Sequence, residues 1–102
     1  MHEKVLIENL DKDNTFRFIS KIFRDEIYVY FHDGSYRAIS GFCPHFGGPL
    51  KFKENYLACH WHDWKFDAKS HKCMNHDINI VIRSYTIAVE GKILMIYHND
   101  NN

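Results

Sequence analysis

Four side chains in the middle of this chain have the types and spacing of a metal site: Cys43, His45, Cys59 and His62. They form two short pairs, Cys43-Pro44-His45 and Cys59-His60-Trp61-His62, with thirteen residues between His45 and Cys59. Each pair offers one thiolate and one imidazole. Cys-x-His and Cys-x-x-His both let two side chains converge on one side of a turn. A soft and a borderline ligand on each of two loops suit either a zinc ion or an iron centre, and the ligand types alone leave both open. His60 is read as an exposed loop residue, because the Cys-x-x-His spacing favours His62.

The glycines between the pairs matter to the same chemistry. Gly47-Gly48-Pro49 follows the first pair, and glycine permits backbone conformations that other residues resist. Such a turn is able to aim several N–H groups inward, where they would favour added negative charge.

The segments CPHFGGPL (Cys43 to Leu50) and CHWHDWKFD (Cys59 to Asp67) resemble the two cluster-binding loops of the Rieske family. The resemblance implies one [2Fe–2S] cluster, with Cys43 and Cys59 on one iron and His45 and His62 on the other. With neutral imidazoles in place of two thiolates the cluster is easier to reduce. Potentials move from about −400 mV in plant-type ferredoxins to roughly −150 to +300 mV in Rieske centres. High-potential members of the family carry an extra cysteine in each loop, joined as a disulfide. Gly48 and Trp61 stand at those positions, so that bridge cannot form here. Trp64 and Phe66 stand where those members place hydroxyl donors. A potential at the low end is therefore expected, as in ferredoxins that serve oxygenases.

The chain also departs from the family. The spacer is short, so the loop from Lys51 to Leu57 should be trimmed. His60 and Asp63 replace the usual Pro and Gly, and no proline occurs between His71 and Tyr85. Cys73, between His71 and His76, is read first as a small buried apolar residue. Phe46, Pro49 and Trp61 are expected to cover the cluster and form an apolar rim, and Trp64 and Phe66 to pack inward.

The rest of the chain must hold these loops. It has 102 residues with thirteen basic and thirteen acidic side chains, so nothing favours nucleic acid as a partner. No apolar run approaches membrane-spanning length. Met1 to Leu10 lacks the apolar block of a signal peptide, and the expected location is the cytoplasm. Three cysteines, an odd number, argue against a disulfide framework.

Most other segments read as short strands. Val5, Leu6, Ile7 and Leu10 suggest a first one, and Thr15–Ser20 a second. Ile27 to Phe31 and Tyr36 to Ile39 flank Asp33-Gly34, a hairpin signal. Tyr85 to Val89, with Tyr85, Ile87 and Val89 on one face, turns at Glu90-Gly91-Lys92 into Ile93 to Tyr97. His98 to Asn102 has nothing apolar to bury and should fray. The expected fold is all-β: one Rieske-like domain over 1–102, a small antiparallel β sandwich or barrel. Its base covers about 1–40 and 68–98, and a loop-rich cluster-binding insert about 41–67.

The expected function is one-electron transfer rather than catalysis, from a flavin-containing reductase to a terminal oxygenase or similar enzyme. One alternative is a Rieske electron-entry subunit of a larger complex, an oxygenase or nitrite reductase. At 102 residues there is no room for a second domain with a mononuclear iron site. The other alternative is a zinc-stabilised interaction module.

Overall fold

The computed structural model describes residues 1–44, 47–61 and 63–99. Among these residues nine strands form two antiparallel sheets. β1 (His2–Leu6), β2 (Thr15–Ser20), β3 (Asp25–His32), β4 (Ser35–Ser40), β8 (Ser84–Glu90) and β9 (Ile93–His98) build a six-stranded sheet in the order β1-β9-β8-β4-β3-β2. β5 (Leu50–Lys53), β6 (Tyr56–Cys59) and β7 (Lys65–Asp67) build a second sheet of three. The larger sheet curls into a nearly closed barrel, and the all-β expectation holds.

Strand β3 shows why the two sheets stay together. Its side chains alternate between faces, as a strand's must, and both faces are apolar. Ile27 and Val29 join Val5, Ala38, Tyr85, Leu94 and Ile96 in the barrel interior. Tyr28 and Tyr30 point the other way, into a second core with Ile39, Leu50, Leu57, Trp64, Phe66 and Ile82. A run that is apolar on both faces marks a strand covered on both sides.

Each outward tyrosine uses its ring for packing and its hydroxyl as a tie. Tyr28 Oη accepts the Phe52 amide at 3.0 Å, and Tyr30 Oη donates to the Ala68 carbonyl at 2.7 Å. The small sheet is thus anchored near its beginning and its end.

The turns follow local chemistry. Asp33 (φ 52°) and Gly34 (φ 78°) are both left-handed, and His32 pairs with Ser35. That is the two-residue hairpin turn the Asp-Gly pair signals. The second predicted strand, Thr15–Ser20, is β2. Tyr85 and Ile87 face the barrel interior, and Val89 on the same face emerges at the strand end, 55% exposed.

Two expectations need correction. The first strand stops at Leu6, and Ile7–Asn9 form a short 3-10 helix. The Ile7 amide ends the ladder by donating to the Lys92 carbonyl at 2.8 Å, and the chain turns while Ile7 and Leu10 still reach the barrel core. The stretch from Lys51 to Leu57, expected as a shortened loop, is most of a hairpin. Lys53 pairs with Tyr56 across a two-residue turn, with Glu54 at φ 51°. The short spacer is absorbed by ladder pairing. In the tail, His98 closes β9 and Asn99 Nδ2 donates to Ser84 Oγ at 3.1 Å. Residues 100–102 lie outside the described residues.

Candidate metal centre

Cys43 and Cys59 come from different loops, and backbone pairing brings the loops side by side. Phe42 bridges to Pro49, so the segment between them closes on itself. The Cys43 amide donates to the Gly48 carbonyl, and the Gly47 amide to the Cys43 carbonyl, both at 2.7 Å. Gly47 has φ 76°, a conformation that suits glycine. The second loop closes where the Cys59 amide donates to the Trp64 carbonyl at 3.0 Å. Two links then join the loops: Leu50 and Cys59 are cross-strand partners, and the His60 amide donates to the Pro49 carbonyl at 2.9 Å.

Both cysteines are buried and neither is in a disulfide. Gly48 packs directly against the second thiol. A β-carbon at Gly48 would lie 3.0 Å from Cys59 Sγ and 3.1 Å from the Trp61 ring. Two buried cysteines outside any disulfide, each on a loop whose sequence also carries an imidazole, fit a cluster with mixed sulfur and nitrogen ligands. The other two predicted ligands, His45 and His62, and the rim residue Phe46 lie outside the described residues.

The neighbours fall where the residue types suggest. His60 is exposed. Trp61 is 62% exposed and Pro49 half-buried beside the loops, while Trp64 and Phe66 are buried in the core. Trp64 stacks on His76, with ring centroids 4.2 Å apart. A shallow groove lined by Phe42, Pro44, Val81 and Arg83 runs along the Cys43 side.

Cys73 is half-buried against the second core, bridged to Phe66. The three groups around it point to different places. Cys73 Sγ is 3.9 Å from Asn75 Oδ1, His76 lies on Trp64, and His71 Nε2 is 3.0 Å from Tyr30 Oη. Because Tyr30 donates its proton to Ala68, the His71 Nε2–H donates to Tyr30. Burial and the Arg37 charge push the His71 pKa down to about 4, so the ring is neutral at pH 7.

Two supporting residues were not foreseen. Asn75 braces the second loop: its Oδ1 accepts the Lys65 amide at 2.9 Å, and its Nδ2 donates to the Asp63 carbonyl, next to His62. Nothing in the sequence marks it, since it is one polar residue in a polar loop. Arg17 reaches both ends of the first loop, at the Gly41 and Leu50 carbonyls. Its only signal was a charge between Phe16 and Phe18.

Comparison with known proteins agrees with this geometry. The ferredoxin component of the alkene monooxygenase system of Xanthobacter autotrophicus (strain ATCC BAA-1158 / Py2) is 28% identical over 75 residues, 70% of this chain. The match spans 61% of that relative. The ferredoxin of carbazole 1,9a-dioxygenase from Nocardioides aromaticivorans IC177 has a similar fold, with TM-score 0.74 and 20% identity over 93% of this chain and 94% of that one. The terminal oxygenase of the same system aligns with 99% of this chain at TM-score 0.78 and 18% identity, over 30% of its own length. The Rieske [2Fe–2S] domain family model matches residues 5–86, and the chain accordingly belongs to that family and takes one [2Fe–2S] cluster rather than zinc.

Proposed function

We propose that this protein is a one-electron carrier of an oxygenase system, with Cys43 and Cys59 on one iron and His45 and His62 on the other. The observation that carries the reading is the meeting of the two loops: two buried thiols, with Gly48 backed against Cys59 Sγ. The ferredoxin component of an alkene monooxygenase, among its relatives, supports the role. In this reading the chain has no substrate chemistry of its own. It accepts an electron from a flavin-containing reductase and passes it to a terminal oxygenase, in the cytoplasm. Residues 41–67 form the cluster-binding insert, on a base made of 1–40 and 68–98.

The cluster supplies reversible uptake of one electron. The chain's own residues supply the setting. Burial of Cys43 and Cys59 keeps water from the thiolate side. The stitched loops hold that side rigid, which lowers the rearrangement an electron's arrival demands. The exposed ring of Trp61, with Pro49 beside it, offers a small apolar contact, the kind of surface that transient redox encounters use.

The test is an electron paramagnetic resonance spectrum after dithionite reduction. The expected signal is that of a Rieske centre, lost in Cys59→Ala and His62→Ala and kept in His60→Ala. A signal that survives His62→Ala would refute the ligand assignment. The second reading, an electron-entry unit of a larger enzyme, draws on the equally good overlay on a terminal oxygenase. Co-purification with a large catalytic subunit would favour it over a free carrier.

A further inference from the structure

Arg17 sits on the barrel but serves the insert. It is the cross-strand partner of Tyr28, and its guanidinium lies over the Tyr28 ring, 4.4 Å from the centroid. Nη1 donates to Glu26 Oε1 at 2.7 Å and to the Gly41 carbonyl at 3.1 Å, and Nη2 donates to the Leu50 carbonyl. Gly41 and Leu50 are themselves joined, the Leu50 amide donating to the Gly41 carbonyl at 2.9 Å. Gly41 precedes Cys43 by two residues, and Leu50 is the ladder partner of Cys59. One side chain therefore touches both ends of the Cys43 loop, and through Leu50 it sits one ladder pair from Cys59.

The need for it follows from topology. β5 is an edge strand of the three-stranded sheet, so its outer backbone groups must find partners elsewhere. The barrel provides them in alternation: Arg17 at the Leu50 carbonyl and Tyr28 Oη at the Phe52 amide. The fit is close. A β-carbon at Gly41 would stand 2.6 Å from Arg17 Nη1. Glu26 balances the charge, leaving geometry as the main contribution of the guanidinium.

We propose that Arg17 is a positioning residue for the cluster: a strap from β2 that pins both ends of the Cys43 loop to the barrel and, through the Leu50–Cys59 pairing, sets where that loop meets the Cys59 loop. This rests on the ligand reading above. Only a planar fork holds two carbonyls and a carboxylate at once, so lysine should substitute poorly.

The experiment compares cluster-loaded wild type with Arg17→Met, Arg17→Lys, Gly41→Ala and the Arg17→Met/Gly41→Ala double variant. Val5→Ala, in the barrel interior, is the control for general destabilisation. Two quantities are read at a temperature where all remain folded by circular dichroism. One is the rate of visible bleaching under a chelator; the other is the reduced resonance line shape. Arg17→Met should bleach roughly tenfold faster or more, as loss of charge-assisted hydrogen bonds implies, with a broadened line. Arg17→Lys should recover only part. Gly41→Ala should hurt less in the Arg17→Met background than in wild type, since the clashing atom is gone. Val5→Ala should keep the wild-type line shape. The strap is overturned if Arg17→Met bleaches and resonates like wild type, or if Val5→Ala matches its effects on both. A wild-type protein with no Rieske signal would instead overturn the ligand reading itself.

Discussion

Gly48 is the surface on which Cys59 rests: a β-carbon there would come within 3.0 Å of Cys59 Sγ. It would also lie 3.1 Å from the Trp61 ring, but Trp61 is largely exposed and free to yield. The buried sulfur is not. Gly48→Ala should therefore displace the thiol rather than the ring. The expected cost is about 1–3 kcal/mol, typical of overpacking. Iron and acid-labile sulfide per chain should fall well below wild type while circular dichroism still shows a folded barrel. Full cluster content in Gly48→Ala would contradict this.

Tyr30 ties the far end of the insert through one hydroxyl. It donates to the Ala68 carbonyl and accepts from His71 Nε2. Tyr30→Phe keeps the ring, fully buried, and strands both partners. A loss of about 1–3 kcal/mol is expected. For a domain of this size each 1 kcal/mol lowers Tm by roughly 4–8 °C. Thermal unfolding of the variant measures it, and an unchanged Tm would show that water replaces the hydroxyl without cost.

His71 makes stability depend on pH with a definite sign. Its folded pKa, about 4, lies below the ordinary 6.5 because burial and Arg37 oppose the charge, with Asp67 acting weakly the other way. The unfolded chain therefore takes up the proton first. Stability is intact above about pH 6.5, declines as pH falls towards 4, and levels off below that for this residue. Denaturant midpoints between pH 7 and 4 should show a decline on the order of 2 kcal/mol or less. His71→Gln should flatten it. Asp67, whose carboxylate is held below its usual range by the Ser70 and Lys69 amides, contributes only at lower pH. A slope unchanged in His71→Gln would assign the effect elsewhere.

The potential should lie at the low end of the Rieske range. Gly48 and Trp61 offer no loop disulfide, and Trp64 and Phe66 bring buried rings instead of hydroxyl donors. Fewer donors leave added electron density less stabilised. A redox titration giving on the order of +200 mV or more would defeat the prediction.

Asn75 supports the second loop from outside it, at the Asp63 carbonyl and the Lys65 amide. Asn75→Ala should leave Tm within about 1 kcal/mol equivalent, since the site is exposed, yet broaden the reduced resonance signal. An unaltered line shape would make Asn75 a surface residue only.

By itself the sequence singled out the candidate ligands. Two thiol–imidazole pairs and the Gly47-Gly48 turn are local features, set by residue type and spacing over a few positions. The same holds for the hairpin at Asp33-Gly34 and the strand from Ile27 that enters it, where β-branched and aromatic residues beside a turn pair are a short-range signal. The sequence read the end of the first strand and the Lys51 to Leu57 stretch less well, because ladder partners far along the chain decide both. What only the tertiary structure decided is how the pieces brace one another. Arg17 reaches carbonyls at Gly41 and Leu50, Tyr30 meets Ala68 and His71, and Gly48 abuts Cys59. These contacts join residues up to 41 positions apart. No residue type announces such a partner, since backbone carbonyls are alike everywhere and only the folded geometry selects among them.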